Sequence, residues 1–468
     1  MMWRFNRFGD AIAVKDEYGA QLSYAQLAKE SRSLCSAAGG KCLVFSLCEN
    51  TLGSFLGYAG FLEGGIVPAM LSAHIDAEQL RDLYSVYRPA YLWAPDGFVW
   101  DDCESVYSRF GYQLLKTPFG AETAIHQDLA LLLTTSGSTG SPKFVRQSRD
   151  NIRANTDSIV QYLSLTAAER PITTLPMQYT YGLSIINTHL DVGAAILLTD
   201  KGIAQREFWD FFRREGATSF GGVPYTYEML DRMRFTRMDL PTLRTMTQAG
   251  GKLQPELHRK MAQWCQQTGR QFIVMYGQCE ATARMGYLPW EHSLEKCGSM
   301  GVAIPGGRFE LIDADGSLIT APHVTGELRY YGPNVTMGYA QCAADLARGD
   351  ERGGVLETGD MAQVDKDGYY TIVGRKKRFL KLFGNRVNLD EVERMLKAAF
   401  PEGECACGGK DDHLVIFSTR EKDLPAMRQW LSEKTGLNQS GFATLHLDAI
   451  PKNDAGKTLY RELEKYVV

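Results

Sequence analysis
The chain has 468 residues, 44% of them hydrophobic and 23% charged, which is enough for a large core and sets a prior of about three domains. Its net charge of −4 gives no reason to expect nucleic acid or an anionic membrane surface as a partner. No uninterrupted apolar run approaches about 18 residues, so a membrane span is not expected, and Met1–Arg7 lacks the apolar core of a signal peptide.

In chain order, Cys42–Leu47 is predicted as a buried strand, Thr51–Glu63 as a helix and Ile66–Met70 as the next strand. The alternation returns at Ile196–Thr199, Phe208–Arg214 and Thr218–Phe220, which suggests layered α/β architecture. From about Gly306 the texture changes. Arg308–Ile312, Gly326–Tyr330 and Tyr369–Val373 look like short strands separated by Asp/Gly turns, a β-rich subdomain. Beyond the basic run Arg375–Arg378 come a helix (Leu389–Ala399), a strand (His413–Ser418) and another helix (Leu424–Thr435). The ten cysteines lack paired zinc spacing. They are expected to be mostly free, buried thiols in a reducing cytosol.

One stretch carries chemistry. Leu131–Leu133 reads as a strand that runs into Thr134, Thr135, Ser136, Gly137, Ser138, Thr139, Gly140, Ser141, Pro142 and Lys143. Small residues let a backbone wrap closely around a charged group. Hydroxyls, N–H groups and a lysine then meet phosphate oxygens, so the expected ligand is a polyphosphate. A solvated turn is the bland alternative. A Walker A loop is excluded, because the only Gly456-Lys457-Thr458 has Pro451 where its first glycine should stand.

Later segments fit that reading. Phe272–Tyr276 is a strand ending in an aromatic that can pack on a nucleobase, followed by Gly277 and by Glu280, a carboxylate suited to Mg²⁺. Thr358-Gly359-Asp360 puts a carboxylate behind a tight turn, suited to ribose hydroxyls. Lys457 sits in a glycine-containing turn near the end of the chain. Core packing for Tyr276, turn capping for Asp360 and a solvated position for Lys457 are the competing readings.

Taken together and in this order, these motifs, with Gly374-Arg375 and Pro451–Lys457, resemble the acyl-adenylate-forming (AMP-dependent synthetase/ligase) superfamily of acyl-CoA synthetases and nonribosomal peptide synthetase adenylation domains. The resemblance implies an α/β fold: a large N-terminal domain of layered subdomains over 1–376 and a small mobile α+β lid over 377–468. It implies an AMP-forming ligase that activates a carboxylic acid with Mg·ATP. The acyl group then passes to the thiol of coenzyme A or of a carrier protein's phosphopantetheine. An amino-acid-adenylating enzyme that loads a carrier protein is the alternative.

It also implies roles. The loop from Thr134 to Gly140, with Lys143, would bind phosphates. Gly250 and Gly251 would wall the adenine beside Tyr276 and Gly277. Asp360 and Arg375 would hold ribose, and Glu280 would hold Mg²⁺. Lys457 would bridge the acid and the α-phosphate, and Lys377 would be the hinge. Lys381 would act on the lid face used for transfer, where Gly384 would let a pantetheine arm pass. Tyr179, Tyr181 and Gly222, with Gly221 and Val223, would line the acyl pocket. Thr180 stands where amino-acid-activating relatives place an aspartate, which favours an acid without an α-ammonium group. Cys279 replaces the usual threonine and removes a hydroxyl near the phosphates. The expected partners are a small carboxylic acid and, where phosphopantetheine is the acceptor, a carrier protein; the expected location is the cytoplasm.

Overall fold
The structure is a computed structural model and describes residues 2–3, 5–120, 123–134, 143–383, 385–453 and 456–467, the side chains at 377, 385 and 386 excepted. Packing divides the chain into two compact units. The first comprises Met1–Cys297, Gly301–Arg308 and Tyr331–Leu356. The second comprises Gly298–Met300, Phe309–Tyr330 and Glu357–Val468. The β-rich segment therefore packs with the C-terminal part of the chain, whereas the junction at 376/377 is proposed as a hinge of motion.

The first unit is α/β. Its eight-stranded sheet runs in the order Gly338–Ala340, Phe144–Ser148, Leu129–Thr134, Val67–Ser72, Leu43–Cys48, Tyr91–Pro95, Tyr112–Lys116, Glu104–Arg109. The four strands from Leu129–Thr134 to Tyr91–Pro95 are parallel, and their residues are almost all apolar because both faces are covered. The helix Leu52–Gly64 is apolar all round and buried over nearly its whole length, as expected of a helix sandwiched in a core. It begins at Leu52 with Thr51 as its N-cap, so the predicted helix is present, shifted by one residue at each end. A second sheet sets Ser219–Gly222, Thr245–Gln248 and Gln271–Tyr276 in parallel, then adds Gly286–Tyr287 and Val302–Ala303 antiparallel.

In the second unit a five-stranded sheet orders Leu318–Ile319, Arg308–Ile312, Gly326–Tyr331, Val355–Val364 and Tyr370–Arg375. The last strand extends two residues past the predicted Val373 because it pairs with Val355–Val364 through Asp360 opposite Arg375. A hairpin of Phe379–Leu382 and Asn385–Asn388 follows. A three-stranded sheet of Cys405–Lys410, His413–Ser418 and Phe442–His446 comes next, packed with the helices Leu389–Ala399 and Leu424–Thr435. All ten cysteines are free; five are buried and five partly so, rather than mostly buried. Among the described residues no helix is long and apolar enough to cross a membrane.

Candidate functional site
In the first unit, the strand Leu129–Thr134 delivers the phosphate-loop motif at the end of the sheet. Thr135, Ser136, Gly137, Ser138, Thr139 and Gly140 lie outside the described residues; Thr134 and Lys143, the flanks of the loop, are described. Neighbouring residues link those flanks to the predicted carboxylate. Lys143 Nζ lies 3.2 Å from the centroid of the Tyr339 ring. The Tyr339 hydroxyl donates to Glu280 Oε1 at 2.7 Å. Burial, and then the charge of Glu280, push the Tyr339 phenol above its ordinary pKa, so it remains a donor. Tyr339 reaches this place because Gly338–Ala340 pairs with the strand Phe144–Ser148, Tyr339 opposite Val145. Arg352 covers the ring at 4.7 Å and donates to the Glu280 carbonyl at 3.0 Å. Cys279 Sγ is 3.9 Å from the Thr134 carbonyl, a weak contact where a hydroxyl would bond more strongly.

The turn bearing Glu280 is tightly fixed. Gly277 is indispensable there: a Cβ on it would lie 1.5 Å from the Ala283 carbonyl oxygen. Thr282 and Ala283 have φ of 54° and 105°, conformations that L residues adopt only when their surroundings impose them. Asn334 imposes them, donating to the carbonyls of Ala281 and Arg284 at 2.8 and 2.9 Å and accepting the Thr282 hydroxyl on its own carbonyl at 2.7 Å. Tyr276 closes the strand before this turn, half-buried, with Gln278 Nε2 donating to its hydroxyl at 3.3 Å.

A second cluster in the same unit gathers the predicted acyl-pocket residues. Tyr179 caps the helix Thr180–Val192, and Tyr181 lies in its first turn. Gly250, at φ +84°, faces Tyr179 so closely that a Cβ would lie 2.6 Å from the Tyr179 hydroxyl. Gly251 faces Pro224, and Gly222 faces Thr226 and Tyr227. Tyr181 is fully buried. It shares a hydrogen bond of 2.7 Å with Thr247, touches the bare face of Gly221, and is pushed by burial to a pKa of about 12. Tyr179, Tyr181 and Val223 join Leu175, Ala249, Ile273 and Met275 in one apolar cluster.

The second unit holds the remaining candidates. Asp360, 6% exposed, lies 3.6 Å from Arg375 Nε across the paired strands, and its backbone N–H donates to Thr358 Oγ1 at 3.1 Å. Lys381 is exposed in the hairpin, its N–H bonded to Asp411 Oδ1 at 2.8 Å. Gly384 lies outside the described residues, and Lys377 is described for its backbone alone, in a single helical turn over Lys376–Arg378. The Lys457 backbone is held in its turn by Asn453, whose Oδ1 accepts the Lys457 N–H at 2.9 Å.

Tyr339, Arg352, Asn334 and Arg284 take part in these clusters without having been singled out from the sequence. Gly338-Tyr339-Ala340 carries no chemical signature, and only strand pairing brings it to Glu280.

The profile of the AMP-binding enzyme family matches residues 2–340. The indoleacetate–CoA ligase of Aromatoleum aromaticum is 28% identical over 411 residues, covering 84% of this chain and 77% of that protein. Structures of o-succinylbenzoate coenzyme A synthetase from Bacillus subtilis share the fold. The complex with its acyl-adenylate superposes with a TM-score of 0.80 at 19% identity, covering 99% of this chain and 98% of that one. The complex with ATP and magnesium gives 0.79 at 20% identity, covering 99% of both. The chain belongs to the AMP-binding enzyme family.

Proposed function
We propose that this protein is an AMP-forming acid–thiol ligase. The observation that carries the reading is the convergence of Lys143 and Glu280 on Tyr339 at the end of the strand that opens the phosphate loop. A cation and a carboxylate held beside one loop suit a polyphosphate with its metal ion. Glu280 fits the metal, since its carboxylate is oriented by Tyr339 and its backbone is fixed by Thr336 and Arg352. Bound Mg²⁺ there would neutralise charge on the phosphates.

In the first half-reaction a carboxylate oxygen of the acid attacks the α-phosphorus of ATP, and the bond to the bridging oxygen breaks. Acyl-AMP forms and pyrophosphate leaves. In the second, a thiol gives up its proton and attacks the acyl carbon; the thioester forms and AMP leaves. The chain's contribution is positioning and charge compensation. Thr134 to Gly140 and Lys143 hold the β- and γ-phosphates. Tyr276 packs on adenine against Gly250, Gly251 and Gly277, and Asp360 with Arg375 holds the ribose. Lys457 bridges the acid carboxylate and the α-phosphate. A lid comprising 377–468 turns about Lys377 between the steps and presents Lys381 and Gly384 to the thiol arm. Coenzyme A is the acceptor we favour, with carrier-protein phosphopantetheine offering the same thiol, and the reaction is assigned to the cytoplasm. Tyr179, Tyr181, Gly221, Gly222 and Val223 bound the acyl pocket. No carboxylate stands beside Tyr179 in the sequence, which favours acids lacking an α-ammonium group.

Pyrophosphate exchange against fatty, aryl, dicarboxylic and amino acids tests the reading, with product mass measured when coenzyme A is added. Acid-dependent exchange and a thioester product are expected. ATP binding without exchange for any acid would refute it. Lys457→Ala should nearly abolish exchange while ATP still binds; undiminished exchange would remove Lys457 from the first step.

A further inference from the structure
Arg284 is a buried cation that the reaction scheme leaves without a role. It is 3% exposed. Its main chain is fixed by Asn155 and Asn334, both donating to its carbonyl at 2.9 Å. Its guanidinium lies 3.8 Å from the centroid of the Tyr181 ring. Among the described residues Nε has no hydrogen-bond partner, the rest of the guanidinium meets the Tyr162 hydroxyl, and no carboxylate forms an ion pair with it.

A cavity of about 30 Å³ lies against this side chain, bounded also by Ser184, Ile185, Thr188, His189 and Thr247. That is room for one ordered water. The cavity adjoins the proposed acyl pocket: Ile185 and Met275 line it and also pack in the cluster of Tyr179, Tyr181 and Val223. Neither of the other titratable side chains on its wall, Glu169 and His189, forms an ion pair with the guanidinium. Glu169, also on the wall, accepts the Thr218 hydroxyl at 2.8 Å and lies 3.7 Å from Arg244. His189 is held neutral by burial, its pKa lowered to about 4.

A buried charge without a counter-ion is strongly unfavourable. A guanidinium stacked on an aromatic ring, with an N–H unsatisfied beside a largely apolar cavity that offers it no acceptor, is arranged for an anion that arrives with the ligand. Its planar fork matches a carboxylate. We propose that the acid activated by this protein carries a second, distal carboxylate, and that Arg284 receives it at the end of the pocket behind Tyr181. The inference rests on the ligase reading and narrows its substrate to dicarboxylic acids.

The test compares three versions of each acid skeleton in pyrophosphate exchange: the diacid, its half-amide of the same shape, and the monoacid lacking the distal group. Wild-type kcat/KM should favour the diacid over its half-amide by about 100-fold or more, the scale on which a site built for a charged or hydrogen-bonding group rejects an analogue lacking it. In Arg284→Met that preference should collapse to within a few-fold, chiefly through KM, and Arg284→Lys should keep part of it. Half-amides or monoacids that match the diacids in the wild type would overturn the inference, whether or not the variants fold. An equal loss for all three acids in folded Arg284→Met would show a structural arginine and overturn it too. Exchange with monoacids alone defeats this inference and leaves the ligase reading intact; exchange with no acid defeats both.

Discussion
At the scale of single residues, the candidate site depends on contacts that hold a few charged groups in fixed places. The hydroxyl of Tyr339 is the clearest case, since it orients Glu280 without carrying charge itself. Tyr339→Phe removes one hydrogen bond to a carboxylate, a loss of about 1.5–3 kcal/mol. The Mg²⁺ concentration for half-maximal exchange should rise several-fold, with the fold intact. A magnesium titration that does not move would separate Tyr339 from metal binding. Gly277→Ala is the severe change. Its new Cβ would overlap the Ala283 carbonyl, so the turn bearing Glu280 must open. The expected cost is about 3 kcal/mol or more, visible in urea unfolding, together with loss of exchange. The need for a glycine beside Glu280 was legible as a motif. The reason for it, a backbone folded back upon itself, was not, because Ala283 and Asn334 become neighbours of that turn only in the fold.

At the scale of elements, local signals served well where an element is defined by its own residues. The helix Leu389–Ala399 and the strand His413–Ser418 have the bounds read from the sequence. The helix has a sharp apolar period, and the strand is a continuous apolar run between polar neighbours. The helix Tyr24–Ala38 starts at a capping box. Ser23 Oγ accepts the Gln26 N–H at 3.2 Å, and Gln26 Oε1 accepts the Ser23 N–H at 2.8 Å. Ser23→Ala should cost about 1 kcal/mol in chemical denaturation; no measurable loss would mean the helix start is held by packing alone. Elements completed by a partner were misjudged in length. Ser219–Gly222 runs on into two glycines that have no strand propensity, because the parallel strand Thr245–Gln248 supplies their hydrogen bonds.

At the scale of the whole molecule, burial sets how stability depends on pH. His189 and His258 have pKa values lowered by burial to about 4 from 6.5. Between those values the unfolded chain binds the protons and the folded chain does not. Stability therefore falls as pH drops through about 6.5 to about 4, and the loss levels off below the folded value. Each histidine contributes up to about 3 kcal/mol to this slope. The melting temperature measured across that range should fall, and His258→Gln should flatten the decline. A profile that is level from pH 6.5 to 4 in the wild type would contradict the buried, neutral state of both rings.

The class of chain is written in the residues themselves: an α/β layering in the alternating strands and helices, and the family's motifs in residues that stand together along the chain. Those properties are local, carried by periodicity and by runs of a few residues. Which side chains complete the site was settled only by folding. Tyr339 meets Glu280 through strand pairing, Asn334 locks the turn, and Arg284 is left buried beside Tyr181 without a carboxylate partner among the described residues. Such contacts join residues far apart in the chain, and no local pattern records them, because burial and pairing are properties of the packed molecule.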